Sequence, residues 1–391
     1  MVAPMSDRPP SDLATPGAAP GRKIRVAIVF GGRSSEHAVS CSTAASVLAA
    51  IDRDRYDVVP VGIARDGRWV LVADDPEPLR LGPGHEPRVD GSGQHVVVPL
   101  GSDDRSFTVL EPGHPPVALG EMDVVFPLLH GPFGEDGTIQ GLLELADVRY
   151  VGSGVTASAV MMDKAFMKLV FTAAGLPNAD HVVITDRQWQ HDRAAALRET
   201  ERLGWPVFVK PARAGSSMGI SRVDADAGPE GTAAAVEVAR EHDPKVVVEA
   251  GVSGREVECA VLGGRDGQPP RTSVLGEAVV VSGHTFYDFE AKYLAADDVR
   301  LVCPADVPAE VSDRIRSMAV AAFNAAGCEG LARVDFFYTD DGDVLVNEIN
   351  TMPGFTPSSM YPIAWQATGL SYSELIDELI ALALERRTGL R

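Results

Sequence analysis

The sequence predicts an α/β domain at the front of the chain and an α+β region with β-hairpins behind it. Residues 24–30, IRVAIVF, are a short β-branched run that ends in a glycine pair and leads into an Ala-rich stretch. A strand, a glycine turn and a helix in this order open an α/β unit. Farther along, short apolar runs alternate with turn residues, which is typical of strands joined in hairpins. A chain of 391 residues without an internal repeat fits two or three packed domains.

The other strands and helices of the N-terminal part are predicted from the same patterns of apolar runs and turn residues. A second strand is predicted over 56–63, and the apolar run 123–129 leads into a glycine-rich loop. Residues 139–145 are predicted to form a helix. Glycine- and proline-rich turns separate three short strand candidates, which we interpret as a β insertion. These candidates are residues 68–72, 95–99 and 107–110.

The rear elements begin with a strong helical pattern over 156–174. Thr156 or Ser158 is the expected N-cap, and the Gly-Leu-Pro run at 175–177 ends the helix. Strand–turn–strand patterns are expected to dominate the chain after this helix. The remaining predicted elements are strands at 206–210, 219–223, 246–249, 256–262, 331–339 and 344–350, and helices at 311–326 and 372–386.

The composition excludes several classes of protein. The formal net charge of −20 argues against a general nucleic-acid binder and against docking on anionic lipid. Four scattered cysteines without a CxxC pair are typical of free thiols in a reducing compartment. Residues 1–22 are rich in Pro, Ala and Gly and lack the apolar region of a secretory signal, so we expect a disordered tail. No apolar run reaches the roughly 18 residues of a membrane span, and a cytoplasmic protein is predicted.

Two strands near the C-terminus place acidic side chains opposite each other. If 341–342 is a two-residue hairpin turn, Asp335 pairs with Glu348, and Arg333 pairs with Asn350. All four side chains then share one face, where two carboxylates roughly 5 Å apart repel each other. A hard divalent cation such as Mg²⁺ removes this repulsion and binds Asp, Glu and Asn oxygens. On spacing alone, a solvated acidic hairpin face is an equally good interpretation, and a longer loop would shift the register.

A Gly/Ser loop and a glycine turn are candidate sites for an anion and an ammonium group. The loop 211–218 offers backbone N–H groups and hydroxyls, with the charge of Lys210 beside it. It is not a Walker A loop, and a flexible exposed turn is the commoner interpretation of such a pattern. The turn after the first strand lacks the GxGxxG of a dinucleotide site. Glu36 behind this turn either binds an ammonium group or simply faces solvent near the helix dipole.

Three further features allow both a functional and a structural interpretation. Lys164 lies inside an apolar helical pattern, where a lysine usually extends its ammonium group outward to water. His130 is a candidate catalytic histidine, although a structural loop histidine is commoner, and no ligand spacing suggests zinc. The aromatic and charged segment 283–293 is interpreted either as a lid or as a packed Ω-loop.

Taken together and in order, these segments resemble the motifs of D-alanine–D-alanine ligases in the ATP-grasp superfamily. The similarity runs from about residue 24 to about residue 384. An ordered series of motifs is far more specific than any one of them. The motifs are GGRSSEHAVS, LLHGPFGEDGTIQGLLE, YVGSGVTASAVMMDK, VFVKPARAGSSMGIS, YDFEAKY, ARVDFF and VNEINTMPG.

The resemblance implies an ATP-grasp fold with an N-terminal Rossmann-like (pre-ATP-grasp) domain. ATP is expected between the central and C-terminal subdomains, and a homodimer is implied. The implied divisions are a disordered tail at 1–22, the N-terminal domain at 23–152 with the β insertion at about 66–118, the central ATP-grasp subdomain at 153–252, and the C-terminal ATP-grasp subdomain at 253–391 with a lid loop at about 282–297.

The implied activity is ATP-dependent ligation of two D-alanine molecules to D-alanyl-D-alanine through an acyl phosphate, for peptidoglycan precursor synthesis. Lys292-Tyr293 resembles the pair in dipeptide-forming enzymes, and depsipeptide-forming relatives depart from it. One alternative is a ligase that joins D-alanine to D-lactate or D-serine. The other is a non-catalytic ATP-grasp nucleotide-binding regulator, which the presence of the lid and metal-ligand residues disfavours.

The resemblance also implies a role for each site residue. ATP binding is expected at Lys164, Lys210, Ser217, Glu249, Ala250, Val252, Glu256 and Lys292. Two Mg²⁺ ions, which Mn²⁺ could replace, are expected at Asp335, Glu348 and Asn350. The use of a monovalent cation such as K⁺ stays open. The implied catalytic residues are Glu36, Ser216, Tyr293, Arg333 and Gly354. Contacts with D-alanine are expected from His130, Ser359 and Met360.

Overall fold

The computed structural model describes residues 22–82, 84–99, 105–280 and 299–388. The expected disordered tail, except for residue 22, lies outside the described residues. The expected lid at 282–297, with Lys292 and Tyr293, also lies outside them. Three β-sheets organise the described part of the chain.

The first sheet is built from the front of the chain. Its strands are β1 (Ile24–Gly31), β2 (Tyr56–Ile63), β3 (Trp69–Leu71), β4 (His95–Val97), β5 (Ser106–Leu110), β6 (Val117–Glu121) and β7 (Val124–Pro127). Their order is β6-β5-β4-β3-β2-β1-β7. β1 pairs in parallel with β2 and β7, which confirms the predicted α/β opening. The strands β3 to β6 continue the same sheet through antiparallel pairs.

The sequence did not predict β6, although it predicted the other strands of this sheet. Gly120 adopts φ +87° within β6, and β6 carries a β-bulge at Leu119, opposite the step from Phe107 to Thr108. Val117 is 58% exposed. Because β6 is an edge strand with little burial, its sequence lacks the apolar alternation that reveals a strand.

The helices around the first sheet begin at its glycine-rich loops. α1 (His37–Ala50) follows β1, and α2 (Thr138–Leu145) confirms the predicted helix over 139–145. Ser40 in α1 accepts a hydrogen bond from Gly31 N at 2.7 Å and donates from its Oγ to Leu128 O at 2.5 Å. The side chain of Ser40 therefore joins the carboxyl end of β1 to the end of β7.

The prediction of one helix over 156–174 was wrong, because two helices occupy this segment. They are α3 (Val155–Met162) and α4 (Lys164–Ala173). Asp163 lies between them with φ −91° and ψ 102°, and its carboxylate accepts hydrogen bonds from two backbone N–H groups in the first turn of α4. This N-cap ends α3 and starts α4. The N-cap of α3 is Gly154, instead of a Ser or Thr side chain.

The second sheet has four antiparallel strands from the middle of the chain. They are β8 (His181–Ile184), β9 (Val207–Pro211), β10 (Ser221–Val223) and β11 (Val246–Ala250), in the order β10-β9-β11-β8. The expectation that strands dominate after residue 177 was wrong here. Three helices also lie in this region: α5 (Asp186–His191), α6 (Arg193–Glu201) and α7 (Gly228–Arg240). α7 buries mainly alanines and a valine, so its apolar period is weak in the sequence.

The third sheet has five antiparallel strands. They are β12 (Gly254–Leu262), β13 (Arg271–Val280), β14 (Val299–Val302), β15 (Leu331–Thr339) and β16 (Val344–Asn350), in the order β14-β13-β12-β15-β16. The helices of this part are α8 (Ala309–Ala325), α9 (Met360–Thr368) and α10 (Tyr372–Glu385). The structure confirms the predicted helices α8 and α10, whereas α9, β13 and β14 were not predicted.

The hairpin of β15 and β16 confirms the predicted pairs but not the predicted turn. The pairs Arg333–Asn350 and Asp335–Glu348 are both present. The loop is longer by one residue, because Thr339 N donates to Asp343 O at 2.9 Å. A β-bulge at Asn347 of β16, opposite the step from Asp335 to Phe336, shifts the register back. The two deviations cancel at the acidic pairs, so all four side chains still share one face.

The last helix joins the first and third sheets into one core. α10 contributes Leu375, Ile376, Leu379 and Ile380, which are fully buried. The same core contains Ile28 and Phe30 of β1 and Leu262 and Leu331 of the third sheet. The second sheet has a separate core beneath α6 and α7. No helix within the described ranges is both long and apolar enough to cross a membrane.

Candidate active site

One cleft is lined by residues from all three sheets. Strands β9 and β11, strands β12, β15 and β16, and the loops after β1 and β7 contribute to it. Every predicted site residue in the described part of the chain lines this cleft. These residues are Glu36, His130, Lys164, Lys210, Ser216, Ser217, Glu249, Ala250, Val252, Glu256, Arg333, Asp335, Glu348, Asn350, Gly354, Ser359 and Met360.

Glu36 connects the first sheet to the loop between β9 and β10. It directly precedes α1 and is 6% exposed. Ser216 donates a hydrogen bond from its Oγ to Glu36 Oε1. Gly131 adopts φ +71°, and a Cβ on it would lie 2.4 Å from Glu36 Oε2. A side chain at this position would adopt a strained backbone conformation and would displace the Glu36 carboxylate, which favours glycine here.

His130 bridges the first sheet and the segment after β16. One ring nitrogen lies 3.1 Å from Thr43 Oγ1, and the other lies 3.3 Å from Met352 O. Ser34 Oγ donates to His130 O at 2.8 Å and fixes the backbone. Burial lowers the pKa of His130, so the imidazole is neutral at pH 7. Its contacts suit a residue that shapes the cleft.

Glu135 is a second carboxyl beside Glu36 that the sequence analysis missed. Its Oε1 accepts a hydrogen bond from Gly131 N at 2.7 Å. Burial and the negative charge of Glu36 raise the pKa of Glu135 to about 8. Glu135 is therefore largely protonated at pH 7. The only sequence signal for it was its place in the glycine-rich loop after β7.

Lys164 is the first residue of α4, and not an interior residue of a longer helix as predicted. Its backbone N donates to Ala212 O at 2.9 Å, which ties the start of α4 to the end of β9. Its Nζ donates to Ala214 O at 3.2 Å and lies 3.4 Å from Glu348 Oε2. The break at Asp163 thus turns the ammonium group of Lys164 into the cleft.

Glu249 lies between two lysines. Lys210 Nζ donates to Glu249 Oε2 at 2.7 Å, and Lys168 Nζ lies 3.2 Å from Glu249 Oε1. Burial opposes ionisation of this carboxylate, but the charges of Lys168 and Lys210 outweigh burial and lower the pKa of Glu249 to about 2. The sequence analysis missed Lys168. Its spacing of four residues from Lys164 would have placed both lysines on one helix face.

Arg333 is held between two carboxylates on the third sheet. Its Nε and Nη2 donate to the two oxygens of Asp335 at 2.7 Å each. The Nε also lies 3.0 Å from Glu258 Oε2. Burial lowers the pKa of Arg333, but the charges of Asp335 and Glu258 outweigh burial and raise the pKa well above its usual value. Glu258, which the sequence analysis missed, pairs with Asp335 across β12 and β15.

The donor set on this face fits a hard divalent cation. Asp335, Glu348 and Asn350 present two carboxylates and an amide, and Asn350 Nδ2 donates to Asp335 Oδ2 at 3.0 Å. Carboxylate and amide oxygens are the ligands that Mg²⁺ prefers in proteins. No group of three His, Cys, Asp or Glu side chains suited to a metal occurs in the described ranges. Substrate phosphate oxygens would therefore complete the coordination, as is usual for Mg²⁺.

The N-terminus of α9 opens into the cleft. Ser359 is its N-cap, but the side chain makes no capping bond to the helix and instead accepts from Thr356 N at 3.2 Å. The first N–H groups of α9, beginning with Met360, are therefore not capped by this serine. Such a terminus favours a carboxylate or another anion. Gly354 approaches it closely, since a Cβ on Gly354 would lie 3.0 Å from Ser359 Oγ.

The predicted anion loop contains a tight turn with an unfavourable backbone. Ser216 and Ser217 have φ values of +49° and +57°, and Met218 N donates to Gly215 O at 3.1 Å. Residues other than glycine in this conformation cost on the order of 1 kcal/mol each. The hydrogen bond from Ser216 to Glu36 helps to hold the turn.

The linker between the second and third sheets carries the remaining predicted residues. Ala250 N donates to Asp180 O at 2.9 Å, and Gly251 N donates to Pro206 O at 2.8 Å. These bonds fix the backbone up to Val252, and β12 then carries Glu256 along the wall of the cleft.

Two family models match the chain. Residues 25–153 match the model described as D-ala D-ala ligase N-terminus, and residues 170–381 match the model described as D-ala D-ala ligase C-terminus.

Individual relatives are similar over almost the whole chain. A D-alanine–D-alanine ligase from Arthrobacter sp. (strain FB24) is 61% identical over 95% of this chain and 97% of the relative. A D-alanine–D-alanine ligase from Streptomyces avermitilis is 54% identical over 95% of this chain and 97% of the relative.

Two solved structures are similar to this chain in fold. VanG D-Ala:D-Ser ligase from Enterococcus faecalis matches with a TM-score of 0.79 and 36% identity, covering 93% of this chain and 100% of the other. The D-alanine–D-alanine ligase from Coxiella burnetii matches with a TM-score of 0.77 and 34% identity, covering 93% of this chain and 94% of the other.

Proposed function

Because this chain belongs to the D-alanine–D-alanine ligase family and performs ATP-dependent D-alanyl-D-alanine ligation, we propose that the cleft described above is where that reaction occurs. The chain has the ATP-grasp fold of this family, and its product serves cell wall synthesis. The observation that carries the proposal is the convergence of every described candidate residue on one cleft.

We place ATP between the second and third sheets. Lys164 and Lys210 would bind the phosphates, with the turn of Ser216 and Ser217 above them. Their ammonium groups are part-buried, with 13% and 12% side-chain exposure, so their charges act in a medium of reduced dielectric constant. The overall charge of −20 is not an obstacle, because the ammonium groups of Lys164 and Lys210 and the Mg²⁺ ions proposed below would face the phosphates. Lys292 is expected to contact the γ-phosphate and lies outside the described residues.

We place the nucleoside part of ATP against the strand and linker that join the second and third sheets. Glu249 would accept from the amino group of adenine. The backbone of Ala250 and Val252 would contact the base, and Glu256 would bind the ribose. The backbone bonds of Ala250 and Gly251 hold this linker rigid, which suits recognition of a flat base.

The first step is phosphoryl transfer. A carboxylate oxygen of the first D-alanine forms a bond to the γ-phosphorus as the bond to the leaving oxygen of ADP breaks, which gives an acyl phosphate. Asp335, Glu348 and Asn350 would hold two Mg²⁺ ions, which supply positive charge to the phosphate oxygens. Lys164 and Lys210 would neutralise the remaining charge in the transition state.

The second step is acyl transfer. The amine of the second D-alanine attacks the activated carbonyl, the bond to phosphate breaks, and the amine loses a proton. Arg333 and the N–H of Gly354 would stabilise the tetrahedral oxyanion. Loss of one such donor costs roughly 2.7–4 kcal/mol of transition-state stabilisation in other enzymes. The ion pairs of Arg333 with Asp335 and Glu258 fix the direction of its guanidinium group.

The two amino acids would be recognised by their charged ends. Glu36 would bind the ammonium group of the first D-alanine, with His130 beside it. The N-terminus of α9 at Ser359 and Met360 would bind the carboxylate of the second D-alanine. Glu36, Ser216 and Tyr293 would form the catalytic trio that joins the lid to the first sheet, although Tyr293 lies outside the described residues.

We further propose a homodimer in the cytoplasm, in which Mn²⁺ can replace Mg²⁺ and K⁺ is a candidate activator. Light scattering of the purified protein measures its oligomeric state. Phosphate release in the presence of Mn²⁺ or K⁺ measures the effect of each cation. A monomeric mass, or no turnover with Mn²⁺, would contradict the respective proposal.

The direct test is product analysis with ATP, Mg²⁺ and D-alanine, with D-lactate as a competing acceptor. We expect D-alanyl-D-alanine, ADP and phosphate in equal amounts, and little depsipeptide. Glu348→Gln should abolish turnover, because it removes a charged metal ligand from the acidic face. Full activity of Glu348→Gln would remove the basis of the ligand assignment. Leu145→Ser, at a surface position with 71% exposure, serves as the matched active control.

A further inference from the structure

A fully buried lysine lies behind the wall of the cleft. The Lys168 side chain has 0% exposure, and Lys168 is not among the described residues that line the cleft. Its Nζ lies 3.2 Å from Glu249 Oε1, and Glu249 is the one carboxylate within ion-pair distance of it in the described part of the chain. A buried ammonium group requires a counter-charge. Lys168 and Glu249 therefore depend on each other.

Glu249 also forms an ion pair with Lys210, which differs from Lys168 in its position. Lys210 lies on β9 next to β11, and its Nζ donates to Glu249 Oε2 at 2.7 Å. Unlike Lys168, Lys210 lines the cleft, where the proposed function assigns it to the phosphates. A lysine shared between a phosphate and a carboxylate divides its charge between them. Lys168 is the cation that remains dedicated to Glu249.

We propose that Lys168 is a positioning residue that keeps Glu249 ionised and oriented as the acceptor for the 6-amino group of a purine nucleotide. This inference rests on the proposed function of Glu249. An ionised carboxylate only accepts hydrogen bonds, so it pairs with an amino group and repels a carbonyl oxygen at the same position. Lys168 thereby sets the preference for ATP over ITP, and it leaves Lys210 available for the phosphates.

The test compares Lys168→Met with the wild type, using ATP and ITP as alternative substrates of the full-length protein. We expect the KM for ATP to rise roughly tenfold, whereas kcat at saturating ATP falls by less than about threefold. The ratio of kcat/KM for ATP to that for ITP should fall by about fivefold or more. An unchanged ratio would overturn the proposal, because a lysine that only stabilises the fold has no effect on base preference.

A second background separates positioning from general destabilisation. In Glu249→Gln the carboxylate that Lys168 would position is gone, so adding Lys168→Met should change the KM for ATP by less than about twofold. Equal losses from Lys168→Met in both backgrounds would overturn the proposal. If Lys168→Met alone does not fold, the double variant removes both charges at nearly constant volume. Its affinity for ADP, measured by calorimetry, should then equal that of Glu249→Gln, and a further loss of more than about twofold would overturn the proposal.

Two controls complete the design. Arg386→Met removes a buried cation that is not part of the described cleft lining, so it should lower the thermal midpoint without changing the ATP-to-ITP ratio. Glu249→Gln alone separates the proposed contact between Glu249 and adenine from the proposed action of Lys168 on Glu249. If it leaves the ratio unchanged, the proposed contact between Glu249 and adenine fails. If it lowers the ratio and Lys168→Met does not, only the inference about Lys168 fails.

Discussion

Replacement of Asp163 by alanine tests how the break between α3 and α4 positions Lys164. The Asp163 carboxylate accepts two hydrogen bonds, at 3.1 Å and 3.3 Å, from the first turn of α4. It also forms an ion pair with Lys245, whose side chain is 20% exposed. Loss of an N-cap costs about 1 kcal/mol, and loss of a charge-assisted hydrogen bond costs about 1.5–3 kcal/mol. We therefore expect Asp163→Ala to lower the free energy of unfolding by about 3 kcal/mol.

The function of Asp163→Ala should change together with its stability. Lys164 is held at the first position of α4, so fraying of this turn displaces its ammonium group from the cleft. We expect the KM for ATP to rise several-fold, with a smaller change in kcat. Urea unfolding followed by circular dichroism, and initial rates at varied ATP, measure the two effects.

Asp163→Asn is the matched control for this prediction. It keeps an oxygen acceptor for the cap but removes the charge opposite Lys245, so its loss of stability should be smaller, about 1.5–2 kcal/mol. A loss below about 0.5 kcal/mol in both variants, with an unchanged KM, would refute the role of this N-cap.

Three other predictions concern the walls of the cleft. The pKa of Glu135 is raised from 4.5 to about 8, so its contribution to stability is complete below pH 4.5 and is lost as the pH rises toward 8. The wild type should lose free energy of unfolding by on the order of 1 kcal/mol per pH unit over this range, and Glu135→Gln should not. Urea unfolding of both proteins at pH 6 and pH 8 measures this difference, and an equal change in both proteins would contradict the prediction. Gly131→Ala places a Cβ 2.4 Å from Glu36 Oε2 and should raise the KM for D-alanine several-fold, while Gly141→Ala, which has open space around it, should leave the KM unchanged. Glu258→Gln weakens the orientation of Arg333 and should lower the single-turnover rate roughly tenfold with little change in the KM for ATP; a normal rate would show that Asp335 alone orients this arginine.

The acidic face of the candidate site was predictable because its residues, from Arg333 to Asn350, lie close together in sequence. The acidic face follows from the alternation of side chains along two adjacent strands. Its register was predicted correctly although the turn was wrong, because the longer loop and the β-bulge at Asn347 shift the pairing in opposite directions. No property of the sequence reveals such a compensation, since a bulge here carries neither glycine nor proline.

The residues that were missed act through partners far away in sequence. Lys168 lies in an apolar helix, and only the folded position of Glu249 explains its burial. The helix break at Asp163 was missed because the apolar pattern continues on both sides of it. Its stabilising partner, Lys245, is 82 residues away.

The packing of α10 on the first sheet constrains the order in which the chain can fold during synthesis. Arg55 and Asp377 form an ion pair across 322 residues, and Ser373 donates to Ala50 O across 323 residues. At roughly 5–20 residues per second, the ribosome needs roughly 15–65 s to make the intervening segment. The apolar face of β1 and α1 that α10 covers is therefore translated well before the helix that buries it. Until α10 has emerged from the ribosome, this apolar face of the nascent chain lacks the helix that covers it.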